Sequence, residues 1–235
     1  DKSPSYASDI HTLKRAEQIC ENPYYIFLVR HPLSVMESFA RNRFEKLLGF
    51  DENPWLVAEN LWQTMNRNIK DFLSAVPRHR WTTILFERLV QEPENEMRRL
   101  CQKMEIEYHP AMIRPYEGSR MTGGLHEDSI SIGDPNFLQH DAIDPGLASS
   151  WMSQLDKADS LSQETVELAL ELGYTRDMFV RKKQKQKRHS QRKTPLRNED
   201  ARINGPIYDL SQQQRLIFRR IGHDPFWGIV HQFTF

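Results

Sequence analysis

The residue pattern with the clearest potential for chemistry follows a short apolar run, YYIFLV, at residues 24–29. Arg30 comes directly after this run, and Ser34 and Ser38 follow on the same stretch of chain. An arginine offers a bidentate fork to a phosphate group, and two serines four positions apart share one face of a helix. The spacing therefore predicts a phosphate-binding site. From the residues alone, the alternative is an arginine that pairs at the surface beside serines that face solvent.

Short apolar strands and longer amphipathic helices alternate over most of the chain. YYIFLV and the run WTTILF at 81–86 are typical of buried strands. The alternation predicts an α/β fold with a parallel sheet flanked by helices, in which ligands bind beyond the carboxyl ends of the strands. Arg30 lies there, and Pro32 can start a helix whose free N–H groups favour an anion. The predicted helices cover residues 9–20, 32–48, 54–76, 90–104, 147–155 and 161–174, the last ending near Gly173.

The composition is that of a soluble globular protein. The 235 residues are 38% hydrophobic, 27% charged and 10% aromatic. No window approaches the run of about 18 apolar residues that indicates a membrane span. Cys20 and Cys101 lack metal-ligand spacing, so we expect free thiols in a reducing, cytoplasmic compartment and no bound metal.

Charge is distributed unevenly along the chain. Residues 181–193 hold eight of the 32 basic residues and no acid, which leaves 24 basic against 32 acidic residues elsewhere, a net charge of minus eight. We predict a domain at 1–180, a basic linker at 181–206 and, at 207–235, a fragment too small to fold alone. Nonspecific binding of nucleic acid or another anion by the linker is a rival function. No specific nucleic acid is expected, because the run lacks interleaved aromatic residues.

Three segments, in chain order, resemble the sulfotransferases that use 3′-phosphoadenosine 5′-phosphosulfate (PAPS). Residues 24–39 are similar to that family's 3′-phosphate-binding strand, Arg-x-Pro turn and helix, in which a Ser follows the Arg at the spacing of Arg30 and Ser38. DKSPSYA at 1–7 resembles the Lys-Ser/Thr-Pro-x-Tyr segment near the sulfuryl group, and residues 84–106 resemble the strand, Glu-x-Leu and Pro-Glu helix. The resemblance implies a P-loop-like three-layer fold that transfers a sulfuryl group from PAPS to a hydroxyl.

The resemblance also assigns roles to single residues. Arg30 and Ser38 would bind the 3′-phosphate, and the Lys2 ammonium would stabilise the charge that grows on the leaving oxygen. Arg120 is a further candidate for the 3′-phosphate, and Phe86, at the end of the second strand, is a candidate for stacking on adenine. Three tryptophans are expected in the core instead: Trp55, Trp62 and Trp81.

The catalytic base is less well defined. Many small-molecule sulfotransferases carry a His two residues after the lysine that corresponds to Lys2, where this chain has Pro4. The Gly-, Ser- and Asp-rich residues 115–146 contain His126 and His140 and resemble sulfotransferase domains of modular polyketide and nonribosomal peptide synthases, which use a histidine base. The resemblance implies His140 or His126 as the base. It also implies an acceptor tethered to an acyl carrier protein, with other synthase domains as neighbours. Each histidine can instead be a hydrogen-bonding residue of a loop.

Both ends of the chain carry further expectations. The family's first strand, with the loop that cradles the 5′-phosphosulfate, is not found before DKSPSYA, so the sequence predicts a fold incomplete at its N-terminus and poor PAPS binding. A degenerate, non-catalytic domain is the alternative. At the other end, DLSQQQRLIF at 209–218 resembles the start of nonribosomal peptide condensation domains, without the catalytic histidine motif of that family.

Overall fold

Two parallel strands form the sheet of the described chain. The structure is a computed structural model that describes residues 4–117 and 141–181. Strand β1 (Tyr25–Val29) pairs in parallel with β2 (Trp81–Leu85), and the register runs from Tyr25 opposite Trp81 to Val29 opposite Leu85. The chain between the two strands is helical, as a parallel crossover requires. The prediction of an α/β fold with a parallel sheet is confirmed.

Helices before, between and after the strands account for most of the described residues. The α-helices are α1 (Ile10–Ile19), α2 (Pro32–Arg41), α3 (Phe44–Leu47), α4 (Pro54–Ser74), α5 (Phe86–Gln91), α6 (Pro93–Met104) and α7 (Gln163–Glu171). Short or irregular 3₁₀-helical segments are Pro4–Ser8, Arg78–Arg80, Pro110–Ile113, Pro145–Ser160 and Arg176–Phe179. Within these described ranges, no helix is both long enough and apolar enough to cross a lipid bilayer.

Local sequence signals explain where the helices begin and end. The side chains of Asp9, Asn53 and Ser162 accept backbone N–H bonds at the starts of α1, α4 and α7. Pro is at the first position of α2, α4 and α6, where its missing N–H costs no hydrogen bond. Gly173 follows α7 with φ of +110°, which confirms the predicted glycine at that helix end.

Four predicted elements differ from the observed ones. The helix predicted over 90–104 is interrupted at Glu92, which lies between α5 and α6. The helix predicted over 32–48 divides in two because Arg43 adopts a left-handed backbone with φ of 55°, which ends α2 and precedes α3. The second strand ends one residue early, so that Phe86 begins α5 instead of ending the strand. The helix predicted over 147–155 is part of the 3₁₀ segment. Serine hydroxyls there donate to carbonyls three residues earlier, as Ser149 does to Gly146 and Ser153 to Ser150.

The main core lies between the sheet and the helices α4 and α7. Phe27 and Val29 of β1 pack with residues of both helices, and His31 follows β1 into the same interior. Removal of this apolar surface from water, at about 25 cal/mol per Å², is the main driving force for holding the helices against the strands. The residues of α4 and α7 in the cluster are Trp62, Phe72, Leu73, Leu168 and Ala169, and α2 adds Val35. The core therefore fixes the end of β1, where the candidate site begins.

Candidate active site

Arg30 and Phe86 meet at the carboxyl edge of the sheet. Val29 and Leu85 are the last residues of β1 and β2 and lie opposite each other, so the residues that follow them are neighbours. The Arg30 guanidinium carbon is 4.5 Å from the centroid of the Phe86 ring. Both side chains are buried, with 8% and 4% of their surfaces exposed. The parallel register alone thus explains why a cation and an aromatic ring that are far apart in sequence form a cation–π contact here.

The peptide unit that joins Arg30 to His31 is held from both sides. The indole Nε1 of Trp62, on α4, donates to the Arg30 carbonyl at 3.1 Å. The His31 N–H donates to Glu87 Oε1, on α5, at 2.8 Å. The hydroxyl of Tyr174, after α7, donates to the other oxygen of Glu87 at 2.8 Å. Three separate parts of the chain therefore fix the backbone from which the Arg30 side chain extends.

The guanidinium of Arg30 is a buried cation without a salt bridge among the described residues. Its Nε lies fully out of solvent and has no hydrogen-bond partner there. Burial lowers the pKa of Arg30, while the negative charges of Glu87 and then Glu37 oppose that shift. Arginine remains protonated in proteins, so the site carries a positive charge whose donors are not taken up by a carboxylate. Such an arrangement suits an anionic ligand.

Glu87 provides negative charge near Arg30 while its own oxygens are engaged elsewhere. Burial raises the pKa of Glu87, and the bonds from the His31 N–H and the Tyr174 hydroxyl, together with the charge of Arg30, oppose that rise. Burial also raises the pKa of Tyr174, with the adjacent Glu87 charge as the second cause. The Tyr174 phenol is thus a hydrogen-bond donor to Glu87 and not a proton source at ordinary pH.

The two serines of α2 have different surroundings. Ser34 is hydrogen bonded through its hydroxyl to the hydroxyl of Ser150 at 2.8 Å, so it joins α2 to the Pro145–Ser160 segment. Ser38, one turn later, is 8% exposed, and Asn42 Nδ2 approaches its Oγ at 3.5 Å, the long limit of a hydrogen bond. The hydroxyl of Ser38 is therefore less engaged than that of Ser34. Of the two serines left open by the spacing, the structure favours Ser38 as a ligand group.

Comparison with known proteins identifies this arrangement. A model described as "Sulfotransferase family" matches residues 1–110. By sequence and by structure, these residues belong to the sulfotransferase family. The solved sulfotransferase domain from the curacin biosynthetic pathway is 43% identical with a TM-score of 0.65, over 74% of this chain and 62% of that one. The domain from the Synechococcus PCC 7002 olefin synthase is 40% identical with a TM-score of 0.64, over 74% and 58%.

The extent of these matches is limited. The chain spans less than two thirds of the length of each of the two solved sulfotransferase domains. No individually curated protein matches it. The family of residues 1–110 and the fold follow from the comparisons, whereas the activity of this chain, with its donor, acceptor and partners, is a proposal.

Several predicted site residues lie outside the described part of the chain. These are Lys2, Arg120, His126 and His140, and their roles remain predictions. Arg30, Phe86 and Ser38 are described; the first two are in contact, and Ser38 lies two turns into the helix that follows Arg30. Residues 4–117 and 141–181 contain no cluster of His, Cys, Asp and Glu that could hold a metal ion.

His31 is part of the core of the sulfotransferase domain and caps α2. Its ring is fully buried and stacks between Trp151 and Phe179, at centroid distances of 5.0 and 4.7 Å. Its Nδ1 accepts the Leu33 N–H at 3.3 Å. Burial lowers the pKa of His31 to about 3, so the imidazole is neutral at physiological pH. Sequence reasoning did not single out His31 and missed this role.

Sequence reasoning also missed the residues that hold Arg30, namely Glu87, Trp62 and Tyr174. A usable signal existed for Glu87, because it follows Phe86 at the same edge of the sheet and begins the Glu-x-Leu motif. Trp62 was correctly expected in the core, where it is 4% exposed. Its hydrogen bond to Arg30 required the three-dimensional structure.

Proposed function

We propose that this protein transfers a sulfuryl group from PAPS to a hydroxyl group. The observation that carries the proposal is the buried Arg30 guanidinium at the carboxyl edge of the sheet, which forms no ion pair with any carboxylate of residues 4–117 and 141–181. In α/β proteins this edge is where nucleotide ligands bind, and the start of α2 adds a positive dipole end. The first N–H groups of α2 are not free, because His31 Nδ1 accepts the Leu33 N–H and the His31 carbonyl accepts the Ser34 N–H. Family membership supports the choice of PAPS, since the family generally uses this donor.

In this proposal Arg30 binds the 3′-phosphate of the nucleotide. The guanidinium donates two hydrogen bonds to phosphate oxygens, and the Ser38 hydroxyl adds a hydrogen bond from α2, the helix that follows Arg30. Phe86 supports the guanidinium through the cation–π contact, and a second role for Phe86 in stacking on adenine stays a prediction. Arg120, which lies outside the described residues, is proposed as a second 3′-phosphate ligand.

The transfer itself breaks one sulfur–oxygen bond and forms another. The acceptor oxygen attacks the sulfur of PAPS, and the bond from sulfur to the bridging phosphate oxygen breaks, releasing adenosine 3′,5′-bisphosphate. Lys2 is proposed to stabilise the charge on that leaving oxygen, and His140 or His126 to take the proton of the acceptor hydroxyl. No metal is needed for these steps, because the lysine, the arginines and the helix end supply the positive charge.

The proposed acceptor is a hydroxyl on a chain tethered to an acyl carrier protein. Two solved structures similar to this chain are a sulfotransferase domain from the curacin biosynthetic pathway and one from an olefin synthase. A sulfotransferase domain that is part of a larger synthase would act on the carrier-bound intermediate made by its neighbours. The partners proposed here are thus a carrier protein and adjacent synthase domains, with no specific nucleic acid.

The decisive test compares two nucleotides that differ only in the 3′-phosphate. Calorimetry with adenosine 3′,5′-bisphosphate and with 5′-AMP measures how strongly the protein prefers the 3′-phosphate. Arg30→Ala should lower this preference by about 30-fold or more, because hydrogen bonds to a charged group each contribute about 1.5–3 kcal/mol. An unchanged preference would contradict the proposed binding mode.

Arg78→Ala is the matched control for Arg30→Ala. Arg78 also lies over an aromatic ring, with its guanidinium carbon 4.1 Å from the centroid of Trp81. Trp81 is the first residue of β2, so this pair lies at the opposite end of the strand from Phe86. The control removes the same charge and the same type of contact, and it should leave the nucleotide preference unchanged.

A further inference from the structure

The Arg30 side chain has no hydrogen-bonded anchor of its own in the described structure. Its Nε has no partner, and no carboxylate of residues 4–117 or 141–181 forms an ion pair with its guanidinium. The contact that remains is the stack on Phe86. The direction of the guanidinium therefore depends on its backbone and on the position of that ring, and both are determined by neighbouring elements.

The backbone of Arg30 is determined by the two bonds to the peptide unit that it shares with His31. Trp62 holds the carbonyl of this unit, and Glu87 holds its N–H. Glu87 directly follows Phe86, so the first two residues of α5 hold the backbone and the guanidinium of Arg30 together. Glu87 is 6% exposed, and the Tyr174 hydroxyl fixes its second oxygen.

The same geometry keeps the donors of Arg30 available for a ligand. A carboxylate in direct contact with the guanidinium would compete with a phosphate for its N–H groups. The oxygens of Glu87 are instead occupied by the His31 N–H and the Tyr174 hydroxyl. The carboxylate therefore compensates the charge of Arg30 without occupying the N–H donors of its guanidinium. A binding group that is held in place before the ligand arrives loses less entropy on binding.

We propose that Glu87 is a positioning residue for recognition of the 3′-phosphate. It acts, together with Trp62, by holding the Arg30–His31 peptide unit, and the Tyr174 hydroxyl holds the Glu87 carboxylate in place. This inference rests on the proposed function, because it assumes that Arg30 binds the 3′-phosphate. It assigns to Glu87 no contact with the nucleotide and no step in the transfer.

The experiment measures the preference for adenosine 3′,5′-bisphosphate over 5′-AMP in variants of the full chain. Glu87→Ala should lower the preference about tenfold, as for the loss of one orienting hydrogen bond. Glu87→Gln should recover most of it, because the amide oxygen still accepts the His31 N–H. Trp62→Phe, which keeps an aromatic ring in the core but removes the donor to Arg30, should lower the preference as Glu87→Ala does.

Glu59→Ala is the control for a purely structural effect. Glu59 is also a buried glutamate, and it accepts bonds from Ser162 and Thr165 between α4 and α7. Its loss should lower the stability of the fold and leave the nucleotide preference at the wild-type value. Both nucleotides share adenosine and the 5′-phosphate, so a general loss of folded protein affects the two affinities alike.

The outcomes separate this inference from the proposed function. If Arg30→Ala keeps the wild-type preference, the proposed binding mode fails and the inference fails with it. If Arg30→Ala loses the preference while Glu87→Ala and Trp62→Phe keep it, only the inference is overturned. Should Glu87→Ala not fold, Trp62→Phe decides between a lowered and an unchanged preference. A Glu87→Gln protein as impaired as Glu87→Ala would also overturn the proposed hydrogen-bond mechanism.

Discussion

Acidification should destabilise this protein through His31 between pH 7 and pH 5. The imidazole is fully buried between Trp151 and Phe179, and burial lowers its pKa from 6.5 to about 3. In the unfolded chain the same group takes up a proton near pH 6.5. As the pH falls below this value, the unfolded state gains protons that the folded state does not, and the free energy of unfolding decreases until the pH approaches 3.

The expected size of this effect follows from the two pKa values of His31. A pKa that falls from 6.5 to about 3 corresponds to a limiting loss of about 5 kcal/mol at low pH, at about 1.36 kcal/mol per pKa unit. Between pH 7 and pH 5 the linkage relation gives a loss of about 2 kcal/mol. The raised pKa of Glu87 acts in the opposite direction, since its contribution to stability grows as the pH falls toward 4.5. A comparison of variants removes this contribution, because Glu87 is present in both.

The assay is urea unfolding at pH 7 and at pH 5 for the wild type and for His31→Phe. The phenylalanine keeps a ring in the stack but cannot take up a proton. The wild type should lose about 2 kcal/mol more than the variant over this interval. Equal losses in the two proteins, to within about 0.5 kcal/mol, would refute a buried neutral imidazole. If the variant does not fold, the imidazole proton shifts of His31 in the wild type should still be those of the neutral ring at pH 5.

His109→Phe is the matched control for His31→Phe. His109 also precedes a proline at a helix start, and its Nδ1 accepts the Ala111 N–H at 3.1 Å, as His31 Nδ1 accepts the Leu33 N–H. His109 is exposed, whereas His31 is buried. The control thus removes a capping imidazole that solvent reaches, and it should keep the dependence of stability on pH seen in the wild type.

Two further predictions concern stability. Glu59→Ala should lower the free energy of unfolding by about 2–4 kcal/mol in urea titrations, because it leaves the Ser162 N–H and two hydroxyls without their acceptor. A loss below about 1 kcal/mol would show that the packing of α4 on α7 does not depend on these hydrogen bonds. The double change Arg30→Met with Glu87→Gln should raise the free energy of unfolding of the nucleotide-free protein by about 1–4 kcal/mol, because it removes a buried cation and the buried carboxylate whose charge opposes it. A less stable double variant would show instead that the two charged groups contribute to the stability of the core.

The sequence was sufficient to predict the position of Arg30. An apolar run bounded by a proline turn indicates a buried strand, and a parallel sheet places the residue after such a strand at the ligand-binding edge. Proline likewise indicated the starts of α2 and α4. These features depend on neighbours within a few residues, where backbone sterics and capping bonds are the controlling forces.

The sequence was not sufficient to predict what holds Arg30. The bonds that fix its peptide unit join residues 32 and 56 positions apart in the chain, and the Tyr174 bond to Glu87 spans 87 positions. Contacts at such separations depend on how α4, α5 and α7 pack on the sheet, which local periodicity does not determine. The division of the helix after Arg41 has a similar origin, since residues 42–43 have no proline or glycine to indicate a break.

Recognition of a phosphate by a buried arginine requires two conditions that oppose each other. The guanidinium must be fixed in direction, and its N–H donors must stay available, yet the usual way to fix an arginine is a salt bridge that uses those donors. In this sulfotransferase domain, bonds to the Arg30 backbone and the Phe86 ring provide the first condition without violating the second. The cost is a buried charge that no carboxylate in the described part of the chain pairs. The ligand phosphate can supply the missing partner, so we expect tight coupling between nucleotide binding and the stability of this edge of the sheet.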